Sequence, residues 1–298
     1  MPQISPPLAP AFPALPVLPT QPLALDSTVT MRAIDVQAAQ GPQAARIYGA
    51  VADAGVKVDG LIVFFHGGGF VAGDLDEADA FLRALVRQHP GQIVLATNYT
   101  LAIVAPFPAA VEDAHAVLLW ARKNRSKLGW SGKKLIVAGI EAGANLAAVC
   151  TLMARDRGGP ALAGQILIMP MLDPGLSSCS MRKMPASAES VQVTNACVAG
   201  YRGYLPNAAD RSHPYASPLR SSRLSNLPPA LILSCEDDPL CDEAEQYGAR
   251  LAGCGVKATV SRMPPASLQE PGARNECACH GHALDQIAGF LATLDAPS

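Results

Sequence analysis

"VAGIEAGANLAA" (Val137–Ala148) is the stretch on which the reading of this chain turns. It opens as the end of an apolar run, "KLIVAG" (134–139), and passes directly into a helix-like segment, "EAGANLAAVCTLMARD" (141–156). Gly139 and Gly143 stand at the spacing of the G-x-S-x-G turn, which lifts a reactive side chain out of the end of a strand. The position of the serine in that pattern is Glu141. A strand that bends sharply into a helix points to an α/β sheet, and a glutamate at the tip of the bend leaves the chemistry open.

The same alternation continues outward. "GLIVFFH" (60–66), "QIVLATN" (92–98), "GQILIMP" (164–170), "PALILSC" (229–235) and "VKATVSR" (256–262) are short, β-rich and without alternation, as buried strands of a doubly covered parallel sheet are. Between them, "PAAVEDAHAVLLWARKN" (108–124) begins with Pro108, as a first-turn proline does. "CDEAEQYGARLAGCG" (241–255) places acids first and ends on a glycine. "GHALDQIAGFLATL" (281–294) reads as a last helix, and segments 29–37 and 43–50 as an antiparallel edge. Alternating strands and helices imply an open, mostly parallel sheet with helices on both faces and ligands at the carboxyl ends of its strands. Residues 173–215, rich in Ser, Met and Pro, break the rhythm and read as a small cap inserted over the pocket. Residues 1–28 form a Pro-rich arm, extended along the surface or part of the cap, and 29–298 form the domain.

Bulk composition narrows the function classes. Of 298 residues, 49% are hydrophobic and 16% charged, which supports a substantial core. A net charge of −2 without a basic run gives no footprint for nucleic acid. No run approaches the roughly 20 apolar residues of a membrane span. The proline-studded start excludes a helical signal peptide, so the expected location is cytoplasmic. Eight cysteines without a secretion signal are then expected to be mostly small, buried and reduced. "CACHGH" (277–282) brings Cys277, Cys279, His280 and His282 together, but C-x-C-H-x-H is not the spacing of a zinc ribbon or finger. No metal and no cofactor are expected.

"HGGGF" (66–70) follows a strand directly. Three glycines let backbone N–H groups turn toward a ligand, where they can hold a developing oxyanion. His66 reads as a brace for this loop rather than as a base.

With these motifs in place, the chain resembles the hormone-sensitive-lipase family of α/β-hydrolases over about residues 30–295. "HGGGF" is similar to the oxyanion motif of that family, and "YTLAIVAPFPAAVEDA" (99–114) to its Y-R-L-A-P-E-x-P-F-P-A-A-x-E-D stretch. "SPL" (217–219), "LPPALI" (227–232) and "DPLCDEAEQYGARLAGCGV" (238–256) fit as well. The resemblance implies an α/β-hydrolase fold and an oxyanion hole from the N–H groups of Gly68, Gly69 and Ala142. It also implies Gly67 and Phe70 at the substrate pocket, Asp238 as the acid of a triad and His280 as its base. Many relatives dimerise, so a homodimer is among the expected states. The expected partner is a small, apolar molecule, to which Met171, Leu172, Met181 and Met184 add a greasy cap.

The departures cluster. Glu141 stands for the nucleophilic serine and Ile140 for the preceding Asp. Thr100 stands for an Arg, Ile103-Val104 for Pro-Glu, and "PPASLQEPGARNECAC" precedes His280 where the family is short. A carboxylate attacking an ester gives an anhydride that reverts readily, whereas as a base it can activate water. Three functions stay open at this point. One is a hydrolase of small esters or lactones with Glu141 as base or nucleophile. The second is a lyase, dehydratase or cyclase using Glu141 and His280. The third is a silent ligand-binding protein in which the Glu141 carboxylate fills the hole and pairs with His280.

Overall fold

A computed structural model describes residues 28–51, 56–183, 188–264 and 281–295. The chain runs β1 (Val29–Gln37), β2 (Pro42–Ala50), β3 (Gly60–Phe65), α1 (Asp79–Gln88), β4 (Gln92–Thr97), α2 (Ala109–Lys123), α3 (Arg125–Leu128), β5 (Lys134–Ile140) and α4 (Ala142–Asp156). It continues through β6 (Gly164–Ile168), α5 (Cys179–Lys183), α6 (Ala188–Tyr204), β7 (Ala230–Cys235), α7 (Cys241–Gly253), β8 (Ala258–Met263) and α8 (Gly281–Thr293). The strands form one sheet in the order β1-β2-β4-β3-β5-β6-β7-β8. β1 and β2 pair antiparallel, β2 pairs antiparallel with β4, and every pair from β4 onward is parallel.

The pleat sorts the apolar residues onto two faces. Leu61, Val63 and Phe65 of β3 face a cluster built with α2, α4 and α7, while Ile62 and Phe64 face one built with α1 and α8. In β3 all six residues are buried, which is why the sequence shows no alternation there. The last strand differs from expectation. Among the described residues β8 pairs only with β7 and is one edge of the sheet; Thr259 and Val260 are exposed, and the reading of 256–262 as a buried strand is corrected. Helix α1 was not anticipated from the sequence, although Phe81, Leu82, Leu85 and Val86 mark one buried face of it.

Within 173–215, α6 carries its carboxyl-terminal half onto the loop after β3. A Cβ at Gly200 would lie 2.5 Å from the Gly69 carbonyl oxygen, so the helix backbone rests directly on that loop. Tyr204 stacks on Phe70 with ring centres 3.9 Å apart. Among the described residues, no helix is long and apolar enough to cross a membrane.

Candidate active site

The loops that follow β3, β5, β6 and β7 meet at one edge of the sheet, and the bend after β5 is its centre. Glu141 has φ 55° and ψ −111°, a backbone state that side chains with a Cβ rarely adopt. Main-chain hydrogen bonds hold it there: its N–H donates to Ile168, and its carbonyl accepts the N–H groups of Asn145 and Met171. The flanking glycines are sterically required. A Cβ at Gly143 would lie 2.1 Å from the Phe65 carbonyl oxygen, and one at Gly139 would lie 2.3 Å from the carbonyl of Gly143. Strand β3 and helix α4 therefore touch through the backbone, and the side chain of residue 141 is turned toward the loop after β3.

That loop is braced from below. Buried Tyr99 donates its hydroxyl to the carbonyls of His66 and Gly67 at 3.2 and 3.1 Å, and its ring stacks on the His66 imidazole at 4.4 Å. His66 Nδ1–H donates to the Gly67 carbonyl at 2.8 Å, and burial pushes its pKa below the usual histidine value. A buried, neutral imidazole tied to its own loop is a scaffold, in keeping with its expected bracing part.

The braced loop presents one N–H group to the elbow. Gly68 N–H donates to Glu141 Oε2 at 2.9 Å. A Cβ at Gly67 would lie 3.0 Å from the same oxygen, so Gly67 borders the carboxylate. Gly69 lies beneath α6, and Ala142 opens α4 with no exposed surface. Phe70, expected at the pocket, is fully buried with its ring between Tyr201 and Tyr204. Its ring contacts the overlying helix, and its carbonyl accepts the Ala102 N–H. Met171, Leu172 and Met181 are also buried in the core, while Met184 lies outside the described residues.

Asp238 follows β7 at the same edge and is fully buried, with Oδ1 accepting the Leu240 N–H at 2.9 Å. His280, Cys277 and Cys279 lie outside the described residues, as does most of the Pro-rich arm. Of the described cysteines, 150, 197, 235 and 241 are buried, and 179 and 254 exposed. Among the described residues, no cluster of three or more His, Cys, Asp or Glu side chains is placed to hold a metal ion.

Three supporting residues carried no signal in the motif reading. Tyr99 opens the 99–114 stretch, whose spacing gives no hint of its brace. Asn145 donates Nδ2–H to the Met171 carbonyl at 2.7 Å, locking α4 to the segment after β6. Glu243 grips that same segment from α7. Thr100 and Asp113 form a fourth brace: the Asp113 carboxylate accepts the Thr100 N–H and hydroxyl and the Gln40 N–H. The outcome is a carboxylate on a rigid, strained turn, one hydrogen bond from a backbone donor. Such a pair offers an acceptor for a proton and a donor for a negative oxygen.

Comparison with known proteins agrees with this architecture. A family model described as alpha/beta hydrolase fold matches residues 62–267. Esterase LipI of Mycobacterium tuberculosis is 35% identical over 245 residues, covering 80% of this chain and 74% of that protein. An arylesterase of Saccharolobus solfataricus is 34% identical over 69% of this chain and 66% of its own length. Among solved structures, an esterase of Pyrobaculum calidifontis superposes with a TM-score of 0.79 at 35% identity, covering 90% of this chain and 86% of that one. The carboxylesterase EstE1, cloned from a metagenomic library, superposes with a TM-score of 0.80 at 30% identity, covering 90% of each chain.

Proposed function

The chain belongs to the α/β hydrolase fold family, and from that premise we propose that it is a carboxylesterase-like hydrolase of small, apolar esters or lactones in which Glu141 replaces the family's serine and acts as a general base. The observation that carries the reading is the 2.9 Å hydrogen bond from Gly68 N–H to the Glu141 carboxylate. It supports a base and an oxyanion donor acting together on a single carbonyl group.

In the proposed reaction the ester carbonyl oxygen takes the place of the carboxylate at Gly68, with Gly69 and Ala142 completing the HGGG-type hole. Glu141 removes a proton from water as the resulting hydroxide bonds to the carbonyl carbon. The charge that develops on the carbonyl oxygen is received by backbone donors that need no reorganisation. Collapse of the tetrahedral species breaks the bond to the alcohol oxygen, which leaves with a proton supplied by the acid form of Glu141 or by His280. The sum is ester plus water giving acid plus alcohol. Asp238 is assigned to orient His280, and segment 173–215, with α6 against the loop, serves as the cap. The direct nucleophile reading is disfavoured, because an acyl-glutamate is an anhydride that returns to reactants.

The same hydrogen bond also favours a second reading, a ligand-binding protein without turnover. There the carboxylate permanently occupies the hole and satisfies its donor.

Hydrolysis of short-chain nitrophenyl esters and of a lactone panel tests both. The hydrolase reading expects measurable turnover that falls at least about 100-fold in Glu141→Gln, the ordinary worth of a positioned base. It expects Glu141→Ser to hydrolyse faster than the parent. Folded parent and Glu141→Ser proteins that are both inert would overturn the hydrolase reading. Unchanged turnover in Glu141→Gln would remove Glu141 from the role of base.

A further inference from the structure

Glu243 lies in the first turn of α7, where an acidic side chain ordinarily faces water beside the helix N-terminus. Here it is 1% exposed. Its Oε2 accepts the N–H groups of Leu172 and Asp173 at 2.9 and 3.0 Å. Its Oε1 is buried, with no hydrogen-bond partner among the described residues. The segment it holds is the one that supports the elbow: Met171 N–H donates to the Glu141 carbonyl, and the Met171 carbonyl accepts from Asn145. The α7 carboxyl group thus reaches the strained turn through three consecutive residues.

The groups around Glu243 are the wrong company for a carboxylate. Asp173 in the held segment, Asp238 in the loop after β7 and Tyr201 of α6 interact electrostatically with it, and so, on the favourable side, does Arg220. Arg220 is engaged by Asp173 in a two-pronged ion pair at 2.6 and 2.9 Å. Among the described residues no cation forms an ion pair with Glu243. Burial without an ion-pair partner disfavours the charged form of this acid, while the two N–H donors favour it; burial outweighs them. Burial, then Asp173 and Asp238, push its pKa up to about 8 against the pull of the two N–H groups.

We propose that Glu243 is a positioning residue that works as a neutral carboxylic acid, fixing residues 171–173 against the back of the elbow. Its catalytic consequence rests on the hydrolase reading, but its test does not use turnover. The unfolded chain releases this proton in the ordinary carboxylate range, whereas the folded chain keeps it to about pH 8. Stability contributed by the protonated group is therefore lost as pH rises through that window, and wholly lost above it.

The experiment compares the full-length protein with Glu243→Gln, which keeps the shape and the acceptor oxygen but cannot ionise. Hydrogen exchange of peptides covering 169–173 and 139–145 is followed with melting temperature from pH 5 to 9. The parent is expected to lose protection at 169–173 at least tenfold, and on the order of 5 °C in Tm relative to the variant, between pH 6 and 9. Glu243→Gln is expected to match the parent at pH 5 and hold its protection at pH 9. If Glu243→Gln is already deprotected at pH 5, the amide does not replace the neutral acid and the proposal fails. It fails equally if parent and variant share one pH dependence. Neither result bears on whether Glu141 hydrolyses esters.

Discussion

Glu141 is a large side chain on a backbone that the surrounding structure forces into a positive φ. The strain is imposed by the scaffold: two hydrogen bonds to its carbonyl, one from its N–H, and the backbone contact of Gly143 with β3. For that reason exchanging Glu141 for Ser should leave the turn unchanged, which makes the swap a fair test of chemistry. The converse holds for Gly143. A methyl group there would have to displace the Phe65 and His66 carbonyls, which no rotamer change can relieve. Gly143→Ala is expected to cost about 3 kcal/mol or more, read as a lowered urea midpoint with an unchanged slope. At this scale the sequence was informative wherever a role is local. The turn glycines, Glu141 and the Gly-rich loop announce themselves by spacing. Tyr99, Asn145 and Glu243 do not, because each acts on a backbone group far along the chain, and only the fold brings the two together.

Between elements, the contact of α6 with the loop after β3 governs the site. Gly200 lets the helix settle on Gly69, Gly203 clears Val71, and the Phe70–Tyr204 stack locks the pair. Gly200→Ala should push the helix outward and tilt the N–H groups of Gly68 and Gly69. Under the proposed hydrolysis the expected result is a loss of 10-fold or more in kcat with a smaller change in KM, because there a misaimed oxyanion donor acts in the transition state. Exposed glycine-to-alanine exchanges in helices raise stability, so a gain in Tm at unchanged kcat would mean that the two backbones are not in contact. The elements themselves were largely readable. β3, β4, β5, β6 and β7 declared themselves as short apolar runs, and α2, α4, α7 and α8 by their placement and end signals. β8 misled because its Val and Thr match a buried strand in composition, while its position at the edge depends on strand order, which composition does not encode. Helix α1 starts without a side-chain cap, and its apolar spacing alone did not mark it.

For the whole molecule, the sheet separates two apolar clusters. Phe70, Tyr99 and Ala142 belong to the one that includes α2, α4 and α7. Phe81 of α1 belongs to the other, packed against Phe64 with ring centres 5.9 Å apart. Phe81→Ala should destabilise the fold by about 3–5 kcal/mol through the cavity it leaves. Turnover per folded molecule on the ester panel should stay within twofold. A proportionate fall in kcat of the folded fraction would show that the sheet transmits packing defects across its thickness.

The division of the interior has a practical side for protein engineering. Rounds of random mutagenesis that seek new substrates spend thermal tolerance, and the layer around α1 is where reserves can be restored. Substitutions there can be selected on heat resistance alone, before any library aimed at residue 141 or at the helix above it is made. The two searches can then be recombined with little epistasis between them.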